Sequence, residues 1–309
     1  MVQEIEGTFK VADIGKIGEA DLYTKTWLPD GPIKAKLIMV HGFSDHMGRY
    51  YDFFPSLARA GIAVYGFDQR GWGRSVKKPA QRGLTGPTST VVADIAAFIR
   101  AQLPSEAPVF VLGHSMGGGE VATLASDRAY DDLIGQVAGW LLESPFIGFT
   151  PVEEPSWLLH VVRDPEVQQS IRADALMHDT GTLEGLASML DRTEALSSGK
   201  TRLSPRVRGL LHMHGDGDLV CSFDKAKAWF DRQKPAVADA TFKNYEGFYH
   251  QLHADPGKET FYKDVADWIL ARCPSKEGAG EGVKKEVEAV PAAAAAGVPV
   301  EHGAPESKL

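Results

Sequence analysis

Short hydrophobic or alternating runs recur along the chain and predict the strands of a sheet. Eight of them lie between residues 8 and 245, and each is four to eight residues long, which suits strands better than helices. The candidate strands are Thr8 to Ile14, Asp21 to Leu28, Ala35 to Val40, Ile62 to Phe67, Val109 to Leu112, Val137 to Leu142, Val207 to Met213 and Ala240 to Tyr245.

Segments with helical spacing of their apolar residues separate most of the later runs. In one of them, Val91, Ile95 and Phe98 fall on one face of a helix. The candidate helices are Tyr50 to Ala60, Thr90 to Leu103, Gly119 to Tyr130, Asp224 to Gln233 and Lys258 to Ala271. This alternation predicts an α/β fold whose mostly parallel sheet carries helices on both faces and is entered through an N-terminal hairpin. Residues that carry chemistry are then expected in loops at the carboxyl ends of the strands.

The alternation breaks between Pro145 and Pro205, where no strand is evident. Helices are predicted there at Trp157 to Val162 and Gly185 to Leu190, so we interpret residues 145–205 as a helical cap inserted into a domain that spans residues 1–273. Residues 274–309 are rich in Gly, Ala, Pro, Glu and Lys and contain no aromatic residue, which predicts a disordered tail.

Composition and charge narrow the class of protein. With 309 residues, of which 43% are hydrophobic and 24% charged, the chain can bury a sizeable core in one large domain or two small ones. A net charge of -8 and the lack of a basic cluster disfavour a nucleic-acid partner. The cysteines, Cys221 and Cys273, are too few for a disulfide framework and lack metal-ligand spacing. The first residues are not those of a signal peptide, and no apolar run is long enough for a membrane span, so we expect neither.

The first sign of chemistry is the hexapeptide Gly113 to Gly118, Gly-His-Ser-Met-Gly-Gly, which contains a GxSxG pattern directly after a candidate strand. At a sharp strand-to-helix turn a serine projects its hydroxyl, and the next backbone N–H is free to stabilise an oxyanion. Ser115 is therefore a candidate nucleophile.

A serine nucleophile needs a histidine base and a carboxylate that orients the base. Two aspartates, Asp216 and Asp218, follow the candidate strand that ends at Met213, and two histidines, His250 and His253, follow the next strand. The order serine, aspartate, histidine is that of the α/β-hydrolases.

At these positions the sequence resembles the monoacylglycerol lipases, a family of serine α/β-hydrolases, over roughly residues 10 to 272. The segment His41 to Tyr50 is similar to the family's oxyanion loop, Asp68 to Ser75 to its strand-end turn, and Gly113 to Gly118 to its nucleophile elbow. The resemblance implies the α/β-hydrolase fold, with a mostly parallel eight-stranded sheet, helices on both faces and an inserted helical cap.

The resemblance also implies the catalytic residues. The family's acid lies three residues beyond a glycine, here Gly215, which selects Asp218, and the first histidine of the histidine loop is its base, which selects His250. The implied triad is Ser115, Asp218 and His250. The implied oxyanion donors are the backbone N–H groups of Phe43 and Met116.

Three polar residues align with the family positions that surround a glycerol head group: Asp45, where the family usually has glutamate, Arg49 and His253. The implied reaction is hydrolysis of a monoacylglycerol to a fatty acid and glycerol through an acyl-enzyme, with neither a metal nor an organic cofactor. The sequence leaves other readings open. His253 could instead neighbour a helix cap, Arg49 could lie on the surface, and Cys221 could be a small buried apolar residue.

Other functions remain as alternatives to monoacylglycerol hydrolysis. The same triad would serve a broad carboxylesterase, a lysophospholipase, a thioesterase or an acyltransferase. A non-catalytic binding protein with the hydrolase fold is a further alternative. Dehalogenase and epoxide hydrolase chemistry is disfavoured, because those families place an aspartate where this chain has Ser115.

Two features suggest where the protein acts. Ser307, Lys308 and Leu309 form a peroxisomal targeting signal at the carboxyl terminus, which predicts a peroxisomal import receptor as partner and a peroxisomal location. Fatty acid released there would feed β-oxidation. The apolar residues of Trp157 to Val162, with Phe146 and Phe149, suggest a rim that touches membranes transiently, although packing of a cap helix explains them equally well.

Overall fold

The computed structural model describes residues 1–13, 17–151 and 161–274. Its central feature is one eight-stranded sheet with strand order β1-β2-β4-β3-β5-β6-β7-β8. The strands are β1 (Gln3–Val11), β2 (Ala20–Leu28), β3 (Ala35–Val40), β4 (Ile62–Phe67), β5 (Val109–His114), β6 (Gly139–Glu143), β7 (Gly209–Gly215) and β8 (Asp239–Tyr245). The β1–β2 hairpin joins β4 antiparallel, and the remaining pairs are parallel. The predicted fold class is confirmed.

Helices cover both faces of this sheet. They are α1 (Phe53–Arg59), α2 (Thr88–Arg100), α3 (Met116–Leu124), α4 (Asp131–Ile134), α5 (Pro165–Ala173), α6 (Leu183–Ser197), α7 (Phe223–Gln233) and α8 (Lys258–Leu270). Side chains alternate along the strands, so that Ile38 of β3 packs with α2, α3 and α7 on one face while Leu37 packs with α1 and α8 on the other. The parallel strands are therefore buried on both sides, which explains their near-continuous apolar sequence.

Boundaries differ from the predicted ones where burial is low. The first strand runs from Gln3 to Val11 rather than from Thr8 to Ile14, because pairing with β2 and not apolar alternation sets its length. Only Phe9 and Val11 of β1 are buried, and Ile14 lies outside the described residues. The turn that carries the candidate nucleophile is tighter than predicted, so α3 begins at Met116 and not at Gly119.

The insertion between β6 and β7 contains α5 and α6. The predicted helix Gly185 to Leu190 forms part of α6, whereas α5 was not predicted from its two buried residues, Val167 and Ile171. Its start is marked by Asp164, whose carboxylate accepts from the N–H of Glu166, and by a proline in the first turn. Most of the predicted helix Trp157 to Val162, and the tail from residue 275 with its targeting signal, lie outside the described residues, so the domain boundaries stay predictions.

No helix in the described ranges is both long and apolar enough to cross a membrane.

One buried histidine makes the stability of this fold sensitive to acid. His212 of β7 is fully buried among the rings of Trp229, Phe230 and Phe242, and neither of its ring nitrogens has a hydrogen-bond partner among the described residues. Burial lowers the pKa of His212 well below its ordinary value. The folded state therefore binds this proton less readily than the unfolded state.

We expect the free energy of unfolding to fall as pH decreases below about 6.5, the unfolded pKa of histidine, by about 1.4 kcal/mol per pH unit for each such group. Because His41 and His114 also have pKa values lowered by burial, the wild-type slope contains several contributions. The variant His212→Leu should show a shallower slope between pH 6.5 and 5 in urea unfolding followed by circular dichroism. Equal slopes for both proteins would contradict this assignment.

Candidate active site

Ser115 lies on the tight turn between β5 and α3, in a backbone conformation that L residues rarely adopt (φ 55°, ψ -119°). Glycines make this turn sterically feasible. A Cβ on Gly117 would lie 2.3 Å from the carbonyl oxygen of Val40, and one on Gly113 would lie 2.4 Å from that of Gly117. The turn places the Ser115 hydroxyl at the carboxyl edge of the sheet, where the sequence predicted the chemistry.

His250 lies within hydrogen-bond distance of both other residues of the predicted triad. Its Nε2 is 2.9 Å from Ser115 Oγ, and its Nδ1 is 2.8 Å from Asp218 Oδ2. Since the carboxylate can only accept, Nδ1–H donates to Asp218, and Nε2 accepts the Ser115 hydroxyl. The structure thus brings together residues from three loops in the geometry of a nucleophile, a base and an orienting acid.

Asp218 is held by three hydrogen bonds. Its Oδ1 accepts from the N–H groups of Val220 and Cys221, and its Oδ2 accepts from His250. His214 Nε2, which donates to the Cys221 carbonyl, lies 3.1 Å from the same Oδ2. Burial opposes ionisation, but attraction to His250 and the contacts with His214 and His250 hold the pKa of Asp218 below its ordinary value. The other candidate, Asp216, instead contacts Asn244 and Gly247 at an exposed position.

The electrostatics of His250 follow from this buried carboxylate. Burial disfavours the imidazolium, yet the charge of Asp218 outweighs it and holds the pKa of His250 well above its ordinary value. Cys221, which lies against His250, is fully buried, and burial raises the pKa of its thiol. Cys221 is therefore a small buried residue in its neutral form, which is one of the alternatives that the sequence left open.

Phe43 and Met116, the predicted oxyanion donors, both border the cavity in front of Ser115. Within the described residues neither backbone N–H donates a hydrogen bond to the protein. The Phe43 loop is fixed by His41, whose Nε2 accepts from the N–H of Gln69 at 2.8 Å, so that its Nδ1–H donates to the Gly42 carbonyl. This arrangement requires neutral His41, and burial lowers the pKa of His41 accordingly.

A cavity of about 430 Å³ opens in front of Ser115, within the size range of small-molecule sites. Ser115, His250, Asp45 and His114 form its polar end. The rest of its wall is mostly apolar and consists of Phe43, Met116, Phe146, Phe149, Thr150, Val161, Ile171, Met177, Met189, Leu219, Val220 and Gln251. Such a cavity suits a ligand with one polar end and one long apolar part.

The three predicted head-group residues have different surroundings. Asp45 lies in the cavity wall, where its carboxylate accepts from the N–H of His46 and the hydroxyl of Tyr50. Arg49 is buried beside the cap, within hydrogen-bond distance of Ser170. His253 is fully buried and does not border this cavity, so of the three only Asp45 is placed to contact a ligand there.

Sequence reasoning missed a buried polar network behind the nucleophile. Glu143, at the end of β6, accepts from both the backbone N–H and Nδ1 of His253, at 3.1 and 2.7 Å. The His253 ring stacks on Tyr50, which joins this pair to Asp45, and it also contacts His114 edge-on. A glutamate at the carboxyl end of an otherwise apolar strand is the signal that could have revealed it.

His46, in the segment similar to the oxyanion loop, accepts the N–H of Gly48 through Nδ1 and contacts Asp174 of the cap through Nε2 at 2.9 Å. Phe149 is 53% exposed beside Phe146 at the cavity rim. Because Trp157 to His160 lie outside the described residues, membrane contact through this rim stays a prediction.

Two groups of side chains in the described ranges have atoms close enough to share a metal ion: His114 with Glu143 and His253, and Asp218 with Cys221 and His250. In the first group Glu143 and His253 already bind each other. In the second, a metal would separate His250 from Asp218. In each group two of the three side chains are already hydrogen-bonded to each other.

Comparison with known proteins places this geometry in context. Residues 31–162 and 150–257 match the family model Hydrolase_4, described as serine aminopeptidase S33. The chain is 32% identical to a monoglyceride lipase homologue of Schizosaccharomyces pombe over 92% of its own length and 82% of that protein. It is 29% identical to a monoacylglycerol lipase of Mycolicibacterium smegmatis over 82% of this chain and 95% of the other.

The fold also matches solved structures. A soluble variant of monoglyceride lipase from Saccharomyces cerevisiae superimposes with a TM-score of 0.74 at 17% identity, over 86% of this chain and 95% of the other. At that identity the match supports the fold alone, which agrees with the sheet and cap described above.

The contrast between Asp218 and Asp216 gives a direct test of the acid. We expect kcat/KM for a soluble nitrophenyl ester to rise with pH along a limb whose midpoint lies above 6.5, because the imidazole must be neutral to accept the Ser115 proton and Asp218 raises its pKa. Asp218→Asn should lower the rate roughly 10³- to 10⁴-fold.

The matched control is Asp216→Asn, which changes an exposed carboxylate two residues away. Its rate and midpoint should stay close to those of the wild type. Loss of activity in Asp216→Asn but not in Asp218→Asn would reverse the assignment of the acid.

Proposed function

Because the chain belongs to the monoacylglycerol lipase family of the α/β-hydrolase superfamily, whose members are serine ester hydrolases, we propose that it hydrolyses monoacylglycerols to a fatty acid and glycerol. One observation carries the proposal: the hydrogen-bonded series Ser115, His250 and Asp218 opens into a cavity with a small polar end and a long apolar wall. A single acyl chain and a small polyol match those two environments.

In the proposed mechanism His250 Nε2 takes the proton of the Ser115 hydroxyl while Oγ attacks the ester carbonyl. The N–H groups of Phe43 and Met116 stabilise the resulting oxyanion. The tetrahedral intermediate then collapses, and the glycerol oxygen leaves with the proton from His250. A water molecule, deprotonated by His250, attacks the acyl-enzyme, and the second collapse releases the fatty acid and returns the proton to Ser115.

The polar end of the cavity supports the choice of head group. The Asp45 carboxylate accepts from the N–H of His46 at 2.7 Å and from the Tyr50 hydroxyl at 2.9 Å, and both hydrogen bonds favour its ionised form. An ionised carboxylate in the cavity wall can accept hydrogen bonds from glycerol hydroxyls. It disfavours anionic head groups, for which it provides no counter-charge.

The substrate test compares release of glycerol and fatty acid from a long-chain monoacylglycerol with hydrolysis of short nitrophenyl esters, lysophospholipid and acyl-CoA. We expect the monoacylglycerol to have the highest kcat/KM. Ser115→Ala should lower it by roughly 10³-fold or more while the near-ultraviolet circular dichroism stays unchanged.

Ser126→Ala, which removes a hydroxyl bonded to the Ala122 carbonyl at the end of α3, is the matched control and should retain activity. Ser115-dependent hydrolysis of another ester alone would keep the mechanism and reject the substrate. Retained turnover in Ser115→Ala would reject the nucleophile.

We further propose that the protein acts in peroxisomes, on the basis of the terminal residues Ser307, Lys308 and Leu309. With a fluorescent protein fused to the amino terminus, the full chain should colocalise with a peroxisomal marker. Removal of these three residues should abolish that colocalisation. Removal of Ala304, Pro305 and Glu306 instead keeps the signal terminal and should leave import intact. Unchanged import of the chain that lacks the signal would reject the proposal.

A further inference from the structure

Polar side-chain contacts join the described part of the cap to the rest of the domain at three places. Arg163 binds Asp255 in the loop that carries His250, with Nε 2.7 Å from Oδ2. Asp174 binds His46 beside the oxyanion loop. Arg192 of α6 binds Glu120 of α3, with Nη2 3.2 Å from Oε1. Each contact therefore lands on a segment that carries a candidate catalytic group.

The contact between Glu120 and Arg192 is the most deeply buried of the three. Their side chains are 1% and 7% exposed. The Arg192 guanidinium also donates to Thr88 at the start of α2, at 3.1 Å. Burial raises the pKa of Glu120 to about 7, although Arg192 acts in the opposite direction. At mildly alkaline pH both groups are charged, and the pair links the cap to the helix that begins directly after Ser115.

The position of Glu120 on α3 connects this pair to the oxyanion donor. Glu120 follows Met116 by four residues, so the two side chains lie on the same face of the helix, one turn apart. A small cavity of about 10 Å³, with room for about one water molecule, is bordered by Phe43, Met116, Glu120 and Arg192. The ion pair and both candidate oxyanion donors therefore share one wall.

The cap side of the pair reaches the substrate cavity as well. Met189 precedes Arg192 by three residues on α6 and borders both the small cavity and the large cavity in front of Ser115. The place of α6 over α3 thus sets the position of Met189 in the apolar wall. A shift of α6 would therefore move Met189 in the wall of the large cavity and at the same time change the packing beside Met116.

A buried ion pair contributes little net stability, because desolvation of the two charges offsets their attraction. The Arg192 guanidinium is nevertheless directional, since its planar fork of donors reaches Glu120 through Nη2 and Thr88 through Nη1 at the same time. We propose that Glu120 and Arg192 are positioning residues: their contact fixes α6 against α3 and so holds the Met116 N–H and the Met189 side chain in their working places. The cap is then part of the catalytic framework.

This inference rests on the proposed serine chemistry but not on the proposed substrate. The test therefore measures, at pH 8.5, the second-order rate constant for phosphonylation of Ser115 by a fluorophosphonate, together with kcat and KM for short and long nitrophenyl esters. The main variant is the double change Glu120→Gln with Arg192→Met, which removes the pair and leaves no single buried charge. The matched control is Asp94→Asn with Arg70→Met, which removes a pair of similar burial whose other hydrogen bonds go to Ala12 and Gly18 rather than to the described part of the cap.

We expect the Glu120→Gln, Arg192→Met protein to lose about 10- to 100-fold in phosphonylation and in kcat, as a misplacement near 1 Å would cause, while its Tm falls no further than that of the control. Discrimination between long and short esters should also weaken. The control protein should react at the wild-type rate. Arg192→Lys, which keeps the charge without the fork, should have an intermediate rate and serves as the main comparison if the double variant does not fold.

Wild-type rates in the double variant, or in Arg192→Lys if the double variant is unfolded, would overturn the positioning role. An equal loss in the control would overturn it too, because the effect would then be a general consequence of removing a buried pair. Failure of the wild type to be phosphonylated would overturn the proposed chemistry as well. Phosphonylation without monoacylglycerol hydrolysis would overturn only the substrate.

Discussion

The contact between the start of α3 and the end of β3 is the constraint on which the rest of the site depends. A side chain at Gly117 would collide with the carbonyl oxygens of Val40 and His41, at 2.3 and 2.4 Å. Because only glycine fits there, α3 can begin directly after Ser115, and the strand end that it touches leads straight into the oxyanion loop. The position of the nucleophile relative to both candidate oxyanion donors therefore depends on this backbone contact.

The buried carboxylates on the two sides of the nucleophile have different hydrogen-bond partners. Asp218 is buried but accepts three hydrogen bonds, so it stays ionised and can polarise His250. Behind Ser115, Glu143 and Asp45 are buried with histidine and tyrosine as their partners. In such a network a missing hydrogen bond destabilises the folded state, because the buried polar group has lost its hydration and gains no partner in exchange.

Sequence patterns predicted the elements whose signal is local. The parallel strands are buried on both faces and read as apolar runs, and the GxSxG turn sits where strand and helix meet, so both could be located in advance. The N-terminal hairpin was predicted as well, but β1 and the cap helix α5 contain only two buried residues each, so apolar spacing misplaced the bounds of the first and missed the second. The partner of His253 is Glu143, which lies far away in the chain and leaves no local signal beside His253. The head-group positions illustrate the same limit: resemblance places Asp45 and His253 together, but a glutamate in β6 draws His253 away from the cavity.

The start of the cap insertion is joined to the loop of Asp218 by a short backbone pairing. Phe149 bridges to Cys221, Thr150 N–H donates to the Val220 carbonyl at 3.1 Å, and Ser222 N–H donates to the Gly148 carbonyl at 2.8 Å. The first residues of the insertion thus belong structurally to the loop of Asp218. For protein engineering this determines where a cap from a relative should be joined to this domain. The junction should lie beyond Thr150, because a junction at Pro145 would also replace residues that pair with the loop of Asp218.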